Sequence, residues 1–191
     1  MTLTKSISLV ALGTALLLLI PLAANRFVEG ANWSLGDFVA AGIMLFGSGV
    51  TFVLIARKWD STLYRLGVAV AVAAGLLLVW ANAAVGLVGS EDNPGNLLYA
   101  GVLLVALVGA LVARFRPLGM SNAMFAASLT YVVVTAIALF LWKPTGDAAE
   151  PQVHLLNVLV ANGFFAAVWA VAGVLFRRAS ASGQNTSRQM A

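Results

Sequence analysis

The sequence predicts an all-α, polytopic membrane protein with six transmembrane helices. Three observations carry that prediction. Hydrophobic residues make up 61% of the 191 and charged residues only 9%, whereas a soluble domain carries about 25% charged residues. The apolar residues fall into six runs, each near the length of about 20 residues that crosses about 30 Å of hydrocarbon. The basic residues cluster in alternate gaps between those runs, which is the pattern that sets membrane topology.

The first span is residues 7–24, just after Lys5. A basic residue before an apolar run resembles a signal peptide, but this run ends IPLAAN and lacks a small-x-small cleavage site. The remaining spans are 36–56, 63–88, 97–113, 120–142 and 154–176. All six must be helical, because an isolated strand leaves its backbone groups unsatisfied in lipid.

Short loops separate them. Residues 25–35 hold Arg26, Glu29, Asn32 and Trp33, and 57–62 are basic. Residues 89–96 read GSEDNPGN, a turn-forming stretch. Residues 114–119 read RFRPLG and 143–153 read KPTGDAAEPQV. The spans form a single transmembrane domain over 1–176, and the polar residues 177–191 read as a disordered cytoplasmic tail.

With the N-terminus inside, the inner segments hold Lys5, Arg57, Lys58, Arg65, Arg114, Arg116, Arg177, Arg178 and Arg188. Only Arg26 and Lys143 then lie outside, so both termini are expected in the cytoplasm. Of the acids, Asp60 alone falls inside. The pI near 10 thus reflects topology, and no nucleic-acid partner is expected. The expected surroundings are the lipid bilayer, with a membrane-protein partner or a second copy of the chain packed beside it.

The even-numbered spans look alike, each opening on an acid or amide and closing on basic residues. Aligning Asp37, Asn96 and Asn162 suggests three tandem helical hairpins. Such a repeat is parallel, unlike the inverted repeats of many transporters.

Several chemistries are excluded or unsupported. Cysteine is absent, which removes disulfides, iron–sulfur ligation and thiol catalysis. A single histidine, His154, cannot make a bis-histidine haem site within one chain. The motifs GxSxG, HExxH and GxxxxGK[ST] do not occur. No catalytic residue, cofactor or metal is therefore expected.

The polar residues left to explain are few. Asp37 opens the second span, where it caps the helix dipole or takes part in a cation or proton path. Asn82 either bonds between helices or lines a ligand pocket with Trp80 and Trp169. Asn157 and Asn162 are further neutral amides inside a span. Ser90, Glu91, Asp92, Asn93 and Asn96 read as turn and cap chemistry. The alternatives there are a protein-docking surface or a hard-cation loop, although the spacing matches no EF-hand. Small residues recur at helical spacing in Gly42, Gly47 and Gly49, in Ala71 and Gly75, and in Ala106 and Ala110. Such faces let helices approach closely.

The stretch WANAAVGLVGSEDNPGNLLYAG, Trp80 to Gly101, resembles a segment of uncharacterised bacterial six-helix inner-membrane proteins of similar length. GDF at 36–38 and NGFF at 162–165 are similar as well. The resemblance implies a bacterial inner-membrane location and no particular activity.

Three function classes follow. The favoured one is an accessory or structural subunit that packs against another membrane complex, given the lack of intramembrane charge, the small-residue faces and the acidic outer loops. The second is a small solute or ion transporter or channel, with Asp37, Asn82, Asn157 and Asn162 along a path. The third is a binder of a lipid-phase molecule such as quinone or carotenoid, with Trp80, Tyr131 and Trp169 around it.

Overall fold

A computed structural model describes residues 2–88, 93–141 and 155–189, except the side chains of 183–189. Among the described residues the chain is helical throughout, without strands. Six helices are long and apolar enough to cross a membrane. The chain divides into two compact units, Met1–Arg57 and Lys58–Ala191, where the sequence suggested one domain.

Unit 1 is a hairpin of α1 (Leu3–Phe27) and α2 (Leu35–Ala56). Thr2 caps α1 by accepting from the Lys5 amide. At its far end Asn25 holds the connection. Its Nδ2 donates to the Trp33 carbonyl and its Oδ1 accepts from the Trp33 amide, both at 2.9 Å. Ser34 and Asp37 then form a capping box on α2. The hairpin closes where Gly49 faces Val10, which a Cβ would meet at 2.5 Å.

Unit 2 contains α3 (Thr62–Ala84), a 3-10 helix (Pro94–Tyr99), α4 (Ala100–Val112), α5 (Pro117–Leu141) and α6 (Leu155–Gln189). α5 packs on α6, α3 on α6, and α4 on α5. Small residues set these distances. Ser121 and Ser128 of α5 donate to the α6 carbonyls of Gly173 and Ala166, each at 2.8 Å. Gly173 seats the Phe125 ring, and a Cβ on Gly109 would meet the Ala123 Cβ at 2.7 Å. The core is built from Tyr64, Leu78, Tyr99, Tyr131 and Phe176, all essentially inaccessible.

The turn from α4 to α5 is strained. Arg114 and Phe115 have φ of 49° and 58°, a left-handed conformation that non-glycine residues adopt at a cost. Two side chains hold the turn: Trp59 Nε1 and the Tyr64 hydroxyl both donate to the Phe115 carbonyl, at 3.0 and 2.9 Å.

Three expectations change in detail. The pairs α1–α2 and α5–α6 pack as hairpins, but the middle pair does not close along its length: α3 lies on α6, where Gly67 makes room for the Phe176 ring. The third span stops at Ala84 rather than at residue 88. The residues read as a disordered tail continue α6 as helix to Gln189.

Candidate functional site

The site begins where α3 ends. The amides of Val85 and Gly86 both bond the Ala81 carbonyl, at 3.0 and 3.1 Å. Gly86 has φ of +69°, which glycine adopts without steric penalty. The chain then leaves helical geometry, yet Leu87 and Val88 are buried. Irregular backbone at membrane depth is tolerated only when protein satisfies its polar groups.

Three asparagine side chains do so here. Asn96 Oδ1 accepts from both amides, Leu87 at 2.8 Å and Val88 at 3.1 Å. Asn93 Nδ2 donates to the Val88 carbonyl at 3.1 Å. Asn162 Nδ2, on α6, donates to the Leu87 carbonyl at 2.9 Å. Both N–H and both C=O groups of the dipeptide therefore have side-chain partners in place of a helix.

The same residues bind one another's surroundings. Asn93 Oδ1 accepts from the Gly95 amide at 2.9 Å and so starts the 3-10 helix. Asn82 Nδ2, on α3, donates to the Asn96 carbonyl at 3.1 Å. Asn162 also donates to the Val158 carbonyl at 2.8 Å, and its Oδ1 accepts from the Tyr99 hydroxyl at 2.7 Å. Thr135 of α5 lies 3.1 Å from the Tyr99 oxygen and 3.3 Å from Asn162 Oδ1. Its hydroxyl reaches the Tyr131 carbonyl at 2.9 Å. Asn162 is 2% exposed; both its Nδ2 protons are engaged and its Oδ1 accepts from Tyr99, while the single Thr135 proton is shared between that oxygen and the nearer Tyr131 carbonyl.

Of the residues singled out in the sequence, Asn82, Asn93, Asn96 and Asn162 thus come together in one buried cluster. Asp37 stands in unit 1 and has a capping role: its Oδ2 accepts from the Ser34 amide at 2.7 Å and the Ser34 hydroxyl at 2.8 Å. Glu91, Asp92 and His154 lie outside the described residues. No group of three or more His, Cys, Asp or Glu capable of holding a metal occurs among the described residues. Tyr99 and Thr135 escaped sequence reasoning as members of the cluster. The only signal was a tyrosine and a threonine inside otherwise apolar runs.

Beside the cluster, α5 and α6 enclose a groove of about 460 Å³, open on one side. Among the described residues Val132, Leu139, Phe140 and Leu155 form most of its wall, and Thr135 and Asn162 are the hydrogen-bonding side chains. It differs from the pocket suggested by Tyr131 and Trp169, both of which are packed in the core. Three buried polar atoms, Asn82 Oδ1, the Tyr131 hydroxyl and Trp169 Nε1, have no hydrogen-bond partner among the described residues. The chain matches no protein-family model, no curated protein and no solved structure.

Proposed function

We propose that this protein is an accessory or structural membrane subunit that packs against another membrane protein. The proposal includes a bacterial inner-membrane location with both termini in the cytoplasm, supported by the placement of the basic residues.

The observation that supports this reading is how the polar groups of unit 2 are used. A transport path needs groups free to replace a solute's hydration. Asn162 has little such capacity, because its two Nδ2 protons go to the Leu87 and Val158 carbonyls and its Oδ1 accepts from the Tyr99 hydroxyl. The cluster fastens a loop, and its side chains are used on the chain's own backbone. Unit 1 adds a surface that suits docking. No residue of α1 is buried, and in α2 only Ala41 and Ala56 are. Nothing lies within 4 Å of where a Cβ on Gly13 or Gly47 would stand. A neighbouring helix can approach the backbone closely at such positions.

The test is gentle extraction from the native membrane followed by mass analysis of what accompanies the chain. A partner in fixed stoichiometry is expected. A photo-crosslinking residue at position 13 or 47 should trap that same partner. A chain that purifies alone under every extraction condition, and cross-links only to lipid, refutes the reading.

A further inference from the structure

Glycine in a helix interior costs about 0.5–1 kcal/mol relative to alanine, so each such glycine in unit 2 invites a reason. For most the reason is packing. A Cβ on Gly67 would meet the Phe176 ring at 3.1 Å, on Gly109 the Ala123 Cβ at 2.7 Å, on Gly119 the Ala113 Cβ at 2.5 Å, and on Gly173 the Phe125 ring at 3.2 Å. Gly101 also faces open space, but it sits in the first turn of α4. Gly163 differs from all of these. It lies inside α6, has nothing within 4 Å, and forms part of the wall of the groove between α5 and α6. A side chain at position 163 would fill that groove.

The groove also has a chemistry. Among the described residues its wall carries no charge. Thr135 stands six residues before the end of α5, about 9 Å along the axis at 1.5 Å per residue. In a 25-residue span that crosses the bilayer, that depth would fall beneath the level of phospholipid headgroups. Both amide protons of Asn162 are engaged, by the Leu87 and Val158 carbonyls, and its Oδ1 accepts from the Tyr99 hydroxyl. The Thr135 hydroxyl donates to the Tyr131 carbonyl, which leaves its oxygen able to accept. The groove volume is in the range of about 300–1,000 Å³ that holds small ligands. The exposed Phe140 ring stands at its edge.

We propose that this groove binds an uncharged, membrane-dissolved amphiphile with a hydroxyl on a single ring, the chemistry of quinols and phenolic isoprenoids. The hydroxyl donates to Thr135 Oγ1, the ring lies beside Phe140, and the tail extends into lipid. Gly163 keeps the space open. This site is independent of the docking of unit 1 and stands or falls without it.

The test uses the full chain in detergent and a radiolabelled decyl-substituted phenol as probe. One saturable site per chain is expected. The Gly163→Leu variant should bind at least about tenfold more weakly while its melting temperature holds or rises, because Leu replaces a helix-interior glycine, its Cβ meets nothing within 4 Å and its side chain has the apolar groove to occupy. The methyl ether of the probe, which cannot donate, should bind about threefold to tenfold more weakly than the phenol, the equivalent of one hydrogen bond of about 0.5–1.5 kcal/mol. Uptake that never saturates, or equal binding by wild type and Gly163→Leu, overturns the site. Equal binding of phenol and ether overturns the role given to Thr135.

Discussion

Replacing Asn162 by leucine removes a side chain that ties α6 to the segment just after α3. The loss can be worked from its bonds. The Leu87 carbonyl loses its donor and, being buried in non-helical backbone, has no helical amide to turn to. An orphaned buried acceptor costs about 1–3 kcal/mol. The Tyr99 hydroxyl loses its acceptor at 2.7 Å but still has the Thr135 oxygen at 3.1 Å, so its share is the smaller one, about 1 kcal/mol. Val158 loses little, since its carbonyl is in a helix. The total is about 2–4 kcal/mol.

That figure separates two accounts. Ordinary side-chain hydrogen bonds between membrane helices average only about 0.6 kcal/mol, because the unfolded chain in the membrane also finds partners. If Asn162 is such a bond, its removal should barely register. If it substitutes for a missing backbone partner, the effect should be several times larger. Reversible unfolding in mixed micelles, read by near-UV circular dichroism, measures it. Thr130→Val is the control, because that hydroxyl bonds only its own helix at Ala126 and its loss should stay within about 0.5 kcal/mol. A loss below about 1 kcal/mol for Asn162→Leu would refute the fastening argument.

Gly67→Ala should lower stability by about 1–3 kcal/mol, since its Cβ would press on three ring carbons of Phe176 at 3.1 to 3.2 Å; an unchanged melting temperature would mean that the ring moves freely. Arg114→Gly should raise stability by about 1 kcal/mol by removing left-handed strain at φ of 49°; a fall would show that the arginine side chain has a stabilising role which outweighs the strain. A phosphatase or fluorescent-protein reporter fused after Arg178 should report a cytoplasmic location, and periplasmic phosphatase activity there would overturn the proposed orientation.

The helices were legible because their signal is length and apolarity, which the bilayer demands of every spanning segment. Their ends were less legible. Val85, Leu87 and Val88 are as apolar as the residues before them, so hydropathy extends the third span through them. What ends the helix is a set of partners that hydropathy does not see: Asn96, nine residues from Leu87, and Asn162, 75 residues from it. The tail failed for the opposite reason. Its polarity suggested disorder, but Arg177, Arg178 and Ala179 are good helix formers. Extending an existing helix also avoids the cost of nucleation. At the site, Asn82, Asn93, Asn96 and Asn162 stood out as amides in or beside apolar runs, and the structure joins them. Their common purpose was hidden, because it depends on which backbone groups lack partners, a property of the folded chain alone.

The choice of amides follows from that purpose. Leu87 and Val88 present two donors and two acceptors to an apolar interior. A carboxylate serves donors only, and its charge costs about 2.5–3.5 kcal/mol at membrane depth. A hydroxyl has one proton to give. An asparagine offers an acceptor with two lone pairs and two donor protons without net charge. Asn96 uses the acceptor for both amides, while Asn93 and Asn162 use donors for the two carbonyls. An asparagine in an apolar span is commonly read as a helix–helix bond or a functional group. Here it has a third use, in place of the helical hydrogen bonds that the backbone gave up. The consequence extends to the proposed ligand: because the Asn162 amide protons are engaged from within, the Thr135 oxygen is the acceptor offered by the described wall of the neighbouring groove, and it suits a neutral hydroxyl better than an ion.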